Sequence, residues 1–275
     1  MAKRRYKTTK ESIERRIKQG RGQGKGANYM PWLTIQDVPS LGLVQRIKGL
    51  KTGRVHHFLS QLEARYFFIL EWSPQVIDIR EQYPLFPQEM TLKLACQSGV
   101  SHPVHPQTRY PVVMTTDFLI TLQGTHRPMV VARTVKPTSE LNKRRVQEKF
   151  EIERRYWLKR GIDWGIVTEQ DIDTTLAQNL QLLRQYWDVS NRLNGNSERL
   201  AEIVKELNLI ASNNSDQSLR TMTRLCGQRL NLPAGDCLAV IYHLLITRQW
   251  QANLRMPLNP TKPITSLETK ENKDA

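Results

Sequence analysis

The stretch from Val112 to Glu169 constrains the fold of this chain more than any other. VVMTTDFLITL (112–122) is rich in β-branched and aromatic residues and reads as a strand that ends before Gly124. PMVVARTVKP (128–137) reads as a second strand, closed by Pro137. A long helix follows from about Ser139 to Arg160 with Gly161 as its stop, and DWGIVTE (163–169) reads as one more strand. A strand, helix, strand step of this kind implies a right-handed parallel crossover. Upstream, HHFLSQLEARYFFILEW (56–72) carries Leu59, Leu62, Tyr66, Ile69 and Leu70 at helical spacing, and VIDIREQYPLF (76–86) alternates as a strand. Residues 88–111, with Gly99, Pro103, Pro106 and Pro111, read as a loop. The order helix, three strands, helix, strand predicts an α/β domain over 31–168.

Beyond Thr168 the pattern turns helical, at 169–187, 197–212, 216–230 and from Pro233 to about Thr247, with RQWQANLRM as a candidate strand. This predicts a smaller, mainly α domain of winged-helix size over 169–257. Residues 258–275 are rich in Pro, Thr and Lys without apolar periodicity and read as a disordered tail.

Charge narrows the partner. The 275 residues carry 41 Lys and Arg against 26 Asp and Glu, a net +15, which points to a polyanion. Residues 1–30 hold ten of these cations against only Glu11 and Glu14, and read as a flexible basic arm. Its GRGQGKG run (20–26) fails as a nucleotide-binding loop, because Gly20 and Gly24 are too close and Gly26 follows Lys25 where Ser or Thr is needed. Arg15, Arg16, Lys18, Arg21 and Lys25 of this arm are therefore candidate phosphate contacts, joined by Lys51, Arg54, His56 and His57 ahead of the first long helix. The longest nearly apolar run, Cys237 to Ile246, contains His243 and is far short of the ~18–20 residues needed to span a bilayer. No apolar stretch follows the basic start, and the odd, widely spaced Cys96, Cys226 and Cys237 argue against a disulfide framework. The expectation is an intracellular protein without a membrane role. Cys96, His102 and His105 lack a fourth zinc ligand.

Phosphodiester hydrolysis needs an activated water and a means of spreading charge on phosphate, which a divalent cation on carboxylates and carbonyls supplies. Asp117 interrupts an otherwise apolar or hydroxylated strand, Lys136 ends the next, and Thr134 shares its face with Lys136. Glu63 lies on or beside the inward stripe of the preceding helix, and Glu153 shares a stripe with Val146, Phe150 and Trp157. Each also has a plainer reading. Asp117 could be a strand-edge residue, Lys136 a solvated cation, Glu63 a boundary carboxylate, and Glu153 a partner of Arg65 or Arg154. Spacing alone leaves both readings open.

The strings ERRIKQGRGQGKGANYMPWLTIQDVPS, KTGRVHHFLSQLE, DIREQYPL, TTDFL, VKP and FEIERRYW resemble, in order and spacing, the TnsA family of endonuclease subunits of heteromeric cut-and-paste transposons. The resemblance covers about residues 13–170 and fades over the C-terminal third. It implies a restriction-endonuclease-like core, a mixed sheet with helices on both sides. It also implies Mg2+ (with Mn2+ as substitute) held by Glu63, Asp117 and the Val135 carbonyl, Lys136 as catalytic lysine, and Glu153 assisting. The family usually carries Gln or an acid two residues before the lysine; this chain has Thr134, a short neutral hydroxyl. The implied activity is cleavage at the 5′ ends of a transposon in double-stranded DNA. A TnsB-like DDE transposase would handle the 3′ ends and a TnsC-like ATPase would regulate both, in a prokaryotic cytoplasm at the nucleoid. The competing reading is a scaffold that has lost catalysis and bridges DNA ends, transposase and ATPase.

Overall fold

The computed structural model describes residues 8–38, 43–213, 217–264 and 267–269, and divides them into two compact units, one up to Ile172 and one from Asp173 onward.

The first unit opens with helix α1 (Lys10–Lys18). Thr9 caps it, accepting from the Ser12 N–H while Ser12 reaches back to the Thr9 N–H. Residues 8–30 are therefore no flexible arm. Ile13 packs with Trp32 and Val113, and Arg16 is 3% exposed. The glycine run folds back on itself: Gly22 N–H donates to Met30 O and Met30 N–H to Gln23 O. Gly24 sits at φ 87°, where a Cβ would fall 2.3 Å from Asn28 O, so only glycine fits. Lys3, Arg4, Arg5 and Lys7 lie outside the described residues.

Strands β1 (Gln45–Lys48) and β2 (Val55–Phe58) form an antiparallel hairpin ahead of helix α2 (Gln61–Trp72). The sequence pattern ran the helix back to 56; instead His56 and Phe58 are inward residues of a strand, and Ser60 caps the helix. Strand β3 (Val76–Pro84) follows, and then helix α3 (Gln88–Gln97). Residues 88–97 were expected as loop, but Thr91, Leu94 and Ala95 bury one side of a helix that begins directly after Pro87. Strands β4 (Thr115–Leu122) and β5 (Met129–Val135) come next, then helices α4 (Thr138–Leu141) and α5 (Arg144–Lys159) and strand β6 (Asp163–Val167).

The sheet order is β3-β4-β5-β6, with the first two pairings antiparallel and β5–β6 parallel, so the sheet is mixed as expected. On one face, Leu85, Leu94, Leu119, Ala132, Ile152 and Trp157 join α3 and α5 to the strands. On the other, Phe118 packs against Phe58 of β2 and Tyr66 of α2, at ring separations of 5.9 and 5.4 Å. Helices thus cover both sides.

The second unit comprises helices α6 (Thr174–Leu183), α7 (Ser197–Asn213), α8 (Leu219–Leu230) and α9 (Ala234–Ile246), with a short ribbon of β7 (Trp250–Gln251) and β8 (Glu268–Thr269). Helix α9 is buried on nearly every side, as its continuous apolar run predicts for a central helix. A Cβ on Gly227 of α8 would lie 2.6 Å from Leu232 O, so the tight turn into α9 depends on this glycine. The described part of the tail is built in: Arg220 N–H donates to Pro260 O, and Ile264 is buried. Residues 265–266 and 270–275 lie outside the described residues. Cys226 and Cys237 are buried free thiols and Cys96 is exposed. No helix among the described residues is long and apolar enough to cross a membrane.

Candidate active site

The first turn of α2 positions Glu63. Ser60 accepts from the Glu63 N–H at 3.1 Å and donates to Glu63 Oε1 at 2.8 Å, while Leu59 N–H donates to Oε2 at 3.0 Å. The carboxylate is thus fixed at the helix N-terminus, where the dipole favours negative charge. On β4, Asp117 Oδ2 accepts from Val135 N–H at 2.8 Å, which ties it to the end of β5. Lys136 follows at once, its N–H bonded to Val167 O of β6. On α5, Glu153 Oε1 accepts from Thr116 Oγ1 at 2.6 Å and Thr134 Oγ1 at 2.5 Å. Thr134 also accepts from Trp164 Nε1 at 3.2 Å. The hydroxyl at the departure from the family pattern therefore aims Glu153. Glu153 does not pair with Arg154, which binds Glu151.

Glu63, Asp117, Val135, Lys136 and Glu153 line one cavity of about 1030 Å3. Lys149, one turn before Glu153 on α5, lines it too and was not singled out from sequence, although the four-residue spacing places both on one helix face. Gln82 of β3 was also missed: its Nε2 lies 3.4 Å from Glu63 Oε2 and 3.3 Å from Asp117 Oδ1. Nothing local in the sequence marks it.

The electrostatics are unusual for buried acids. Burial, with a smaller contribution from Asp117, pushes the Glu63 carboxyl up to about 8. Burial raises Asp117 to about 6 against the lowering effects of the Val135 N–H, the Lys136 charge and Gln82. Glu153 rises to about 7, again through burial first, against the Thr116 and Thr134 hydroxyls. Lys149 is lowered by burial and by the charges of Arg145 and Lys136. The cluster therefore holds more potential negative charge than its neighbours neutralise.

This donor set fits a divalent cation with hard oxygen ligands. Among the described residues, no three His, Cys, Asp or Glu side chains assemble a cage. Two carboxylates beside a backbone carbonyl suit Mg2+, which keeps several of its waters. The raised carboxyls are those a cation would return to the ionised state.

The expected DNA contacts divide sharply. Arg15, Lys18, Lys25 and Lys51 are exposed and His57 is half-buried. Arg16 instead donates to Trp32 O at 2.9 Å and Asp37 at 2.6 Å, and Arg21 also binds Asp37 at 2.6 Å. Arg54 binds Glu81 at 2.5 Å, and His56, fully buried, meets the same carboxylate at 2.8 Å. Arg16 and Arg54 are bound by acids of the fold, and His56 is closed off from solvent, so none of the three is offered to phosphate. Sequence reasoning passed over Arg46 and Lys48, both exposed on β1 with inward Ile47 between them, their alternation being the available signal.

Comparison with known proteins finds likeness along most of the chain. Residues 73–169 match the model of the TnsA-like endonuclease N-terminal family, and residues 171–254 match that of the TnsA endonuclease C-terminal family. The likeness thus reaches into the C-terminal third, as far as residue 254, where the sequence strings fade. The chain is also 44% identical over 209 residues to the Transposon Tn7 transposition protein TnsA of Escherichia coli, covering 75% of each chain.

Proposed function

This chain belongs to the TnsA family of transposon endonucleases, and on that premise we propose that it cuts the 5′ ends of its transposon by Mg2+-dependent hydrolysis of the phosphodiester. The observation that carries this reading is the convergence of Glu63, Asp117, Glu153 and Lys136 on one cavity, with all three carboxyls raised. Glu63, Asp117 and the Val135 carbonyl would hold the cation, with Mn2+ as a substitute. When bound, the ion supplies charge neutralisation at the scissile phosphate and a more acidic water. Lys136 steadies the attacking water and the charge that develops on phosphate. Glu153, held by the Thr116 and Thr134 hydroxyls, assists from the α5 side of the site.

Arg15, Lys18, Lys25, Lys51, Arg46 and Lys48 are the cations we assign to the DNA backbone, since they are exposed. The division of labour follows the family. A TnsB-like DDE transposase cuts and joins the 3′ ends, and a TnsC-like ATPase regulates both. The setting is the cytoplasm, at the nucleoid. Strand-resolved cleavage of labelled transposon-end DNA, in Mg2+ with both partners, tests this. The expected result is a 5′ cut by the wild type that Asp117→Ala loses while the 3′ cut continues. Absence of the 5′ cut from both proteins, with 3′ cutting intact, would identify the chain as a scaffold instead.

A further inference from the structure

Residues two apart on a regular strand share a face. In β4, Phe118 packs against Phe58 and Tyr66, whereas Thr116 bonds Glu153 and Trp157 of α5 on the other side. In β3, Glu81 joins Arg54 and His56, whereas Tyr83 lies 5.9 Å from Trp157. Glu81 pairs with Phe118 and Tyr83 with Thr116, so both strands change sides between the same two pairs. The residues at the change are Gln82 and Asp117. Gln82 accomplishes it with φ 49°, a left-handed conformation that side-chain-bearing residues seldom adopt.

Gln82 is also 1% exposed and fully engaged. Its carbonyl accepts from Trp32 N–H at 3.2 Å and its Oε1 from Thr115 Oγ1 at 3.3 Å, while Nε2 spans Glu63 and Asp117. A glycine would take this backbone conformation without strain, and an asparagine nearly so. Neither carries an amide on a stem long enough to reach both acids. The amide is neutral as well. An arginine or lysine here would neutralise the carboxylates, as Arg54 does for Glu81, whereas a carboxamide holds them at a shared spacing and leaves their charge for a cation.

We propose that Gln82 is a positioning residue of the cation site, its carboxamide bridging Glu63 and Asp117 so that the two carboxylates stand ready as a pair. The inference rests on the reading of that site as the Mg2+ centre. Residues that orient ligands in this way govern metal affinity by about 10–100-fold.

Calorimetric titration of Mn2+ into the full-length protein, alongside thermal unfolding without metal, tests it on Gln82→Gly and Gln82→Asn. Gly fits the left-handed backbone and Asn tolerates it, so both separate the amide from the fold. The expected result is Mn2+ binding at least about 10-fold weaker in both variants, with metal-free melting temperature unchanged or raised in Gln82→Gly. Cleavage by the variants should recover as Mg2+ is raised, a change in half-saturating metal rather than in maximal rate. Wild-type Mn2+ affinity in both variants, whatever their melting temperatures, would overturn the proposal and leave Gln82 a structural residue. A wild type that binds no Mn2+ saturably would instead overturn the metal reading of the site itself.

Discussion

Glu81 and Glu63 are both buried carboxylates in contact with the middle of β3, yet the protein moves them in opposite directions. Burial alone would raise Glu81, but hydrogen bonds and charge from Arg54 and His56 outweigh it and bring the carboxyl down to about 2. Glu63 meets a second acid and a neutral amide, and rises to about 8. One cluster is closed, with charge matched inside the fold. The other is open, with charge that only an added cation would match. Adjacent residues make the difference: Glu81 enters the closed cluster and Gln82 the open one.

The largest expected effect tests the open cluster. Lys136→Ala should lower 5′ cleavage by about a hundred- to a thousandfold, the scale of removing a group that bears transition-state charge. Assembly with DNA ends and partners should persist in a gel-shift assay, and loss of assembly would make Lys136 structural. The closed cluster should fail differently. Glu81→Ala leaves Arg54 without its counter-charge and the fully buried His56 without its hydrogen-bond partner, and should cost about 3–5 kcal/mol in urea unfolding.

The pH dependence separates the two clusters by sign. Glu81 is lowered from 4.5 to about 2, so its stabilisation is complete above pH 4.5 and is lost as pH falls toward 2. Glu63, Asp117 and Glu153 are raised to about 8, 6 and 7, so the metal-free protein should lose stability as pH rises from about 4.5 and level off above 8. Glu81→Gln should shrink the acid limb without touching the alkaline one, and Asp117→Asn should lessen the alkaline limb, which Glu63 and Glu153 still carry. The smallest effect concerns the surface. Arg46→Ala with Lys48→Ala should lower the salt slope of DNA binding by about 2, roughly one per phosphate contact. Arg16→Ala should do the reverse, destabilising the fold with little change in slope, because its partners are Trp32 O and Asp37.

Much of the α/β core was legible because β-branched strands and an amphipathic helix declare themselves locally. β4, β5, α5 and β6 fall close to their expected places. Helix α3 was hidden by the prolines and glycine around it, although its buried Thr91, Leu94 and Ala95 keep helical spacing. Glu63 was singled out as part of an inward stripe. The S-x-x-E spacing from Ser60 gives its true place in the first turn. Charge counting could not tell which cations belong to DNA, because Arg16 and Arg54 find their acids 21 and 27 residues away. Gln82 was illegible for a deeper reason. Its role comes from a left-handed backbone and a change of sheet face that exist only in the folded chain.

Thermal unfolding of the wild type and of Asp117→Asn, from pH 5 to 9 with and without saturating Mg2+, tests the open cluster most directly. Mg2+ should raise the wild-type melting temperature by an amount that grows with pH, as ligation replaces protonation of the carboxyls. Asp117→Asn should show little of that shift. An equal shift in both proteins, or none in the wild type at pH 8, would contradict the claim that these acids form the cation site.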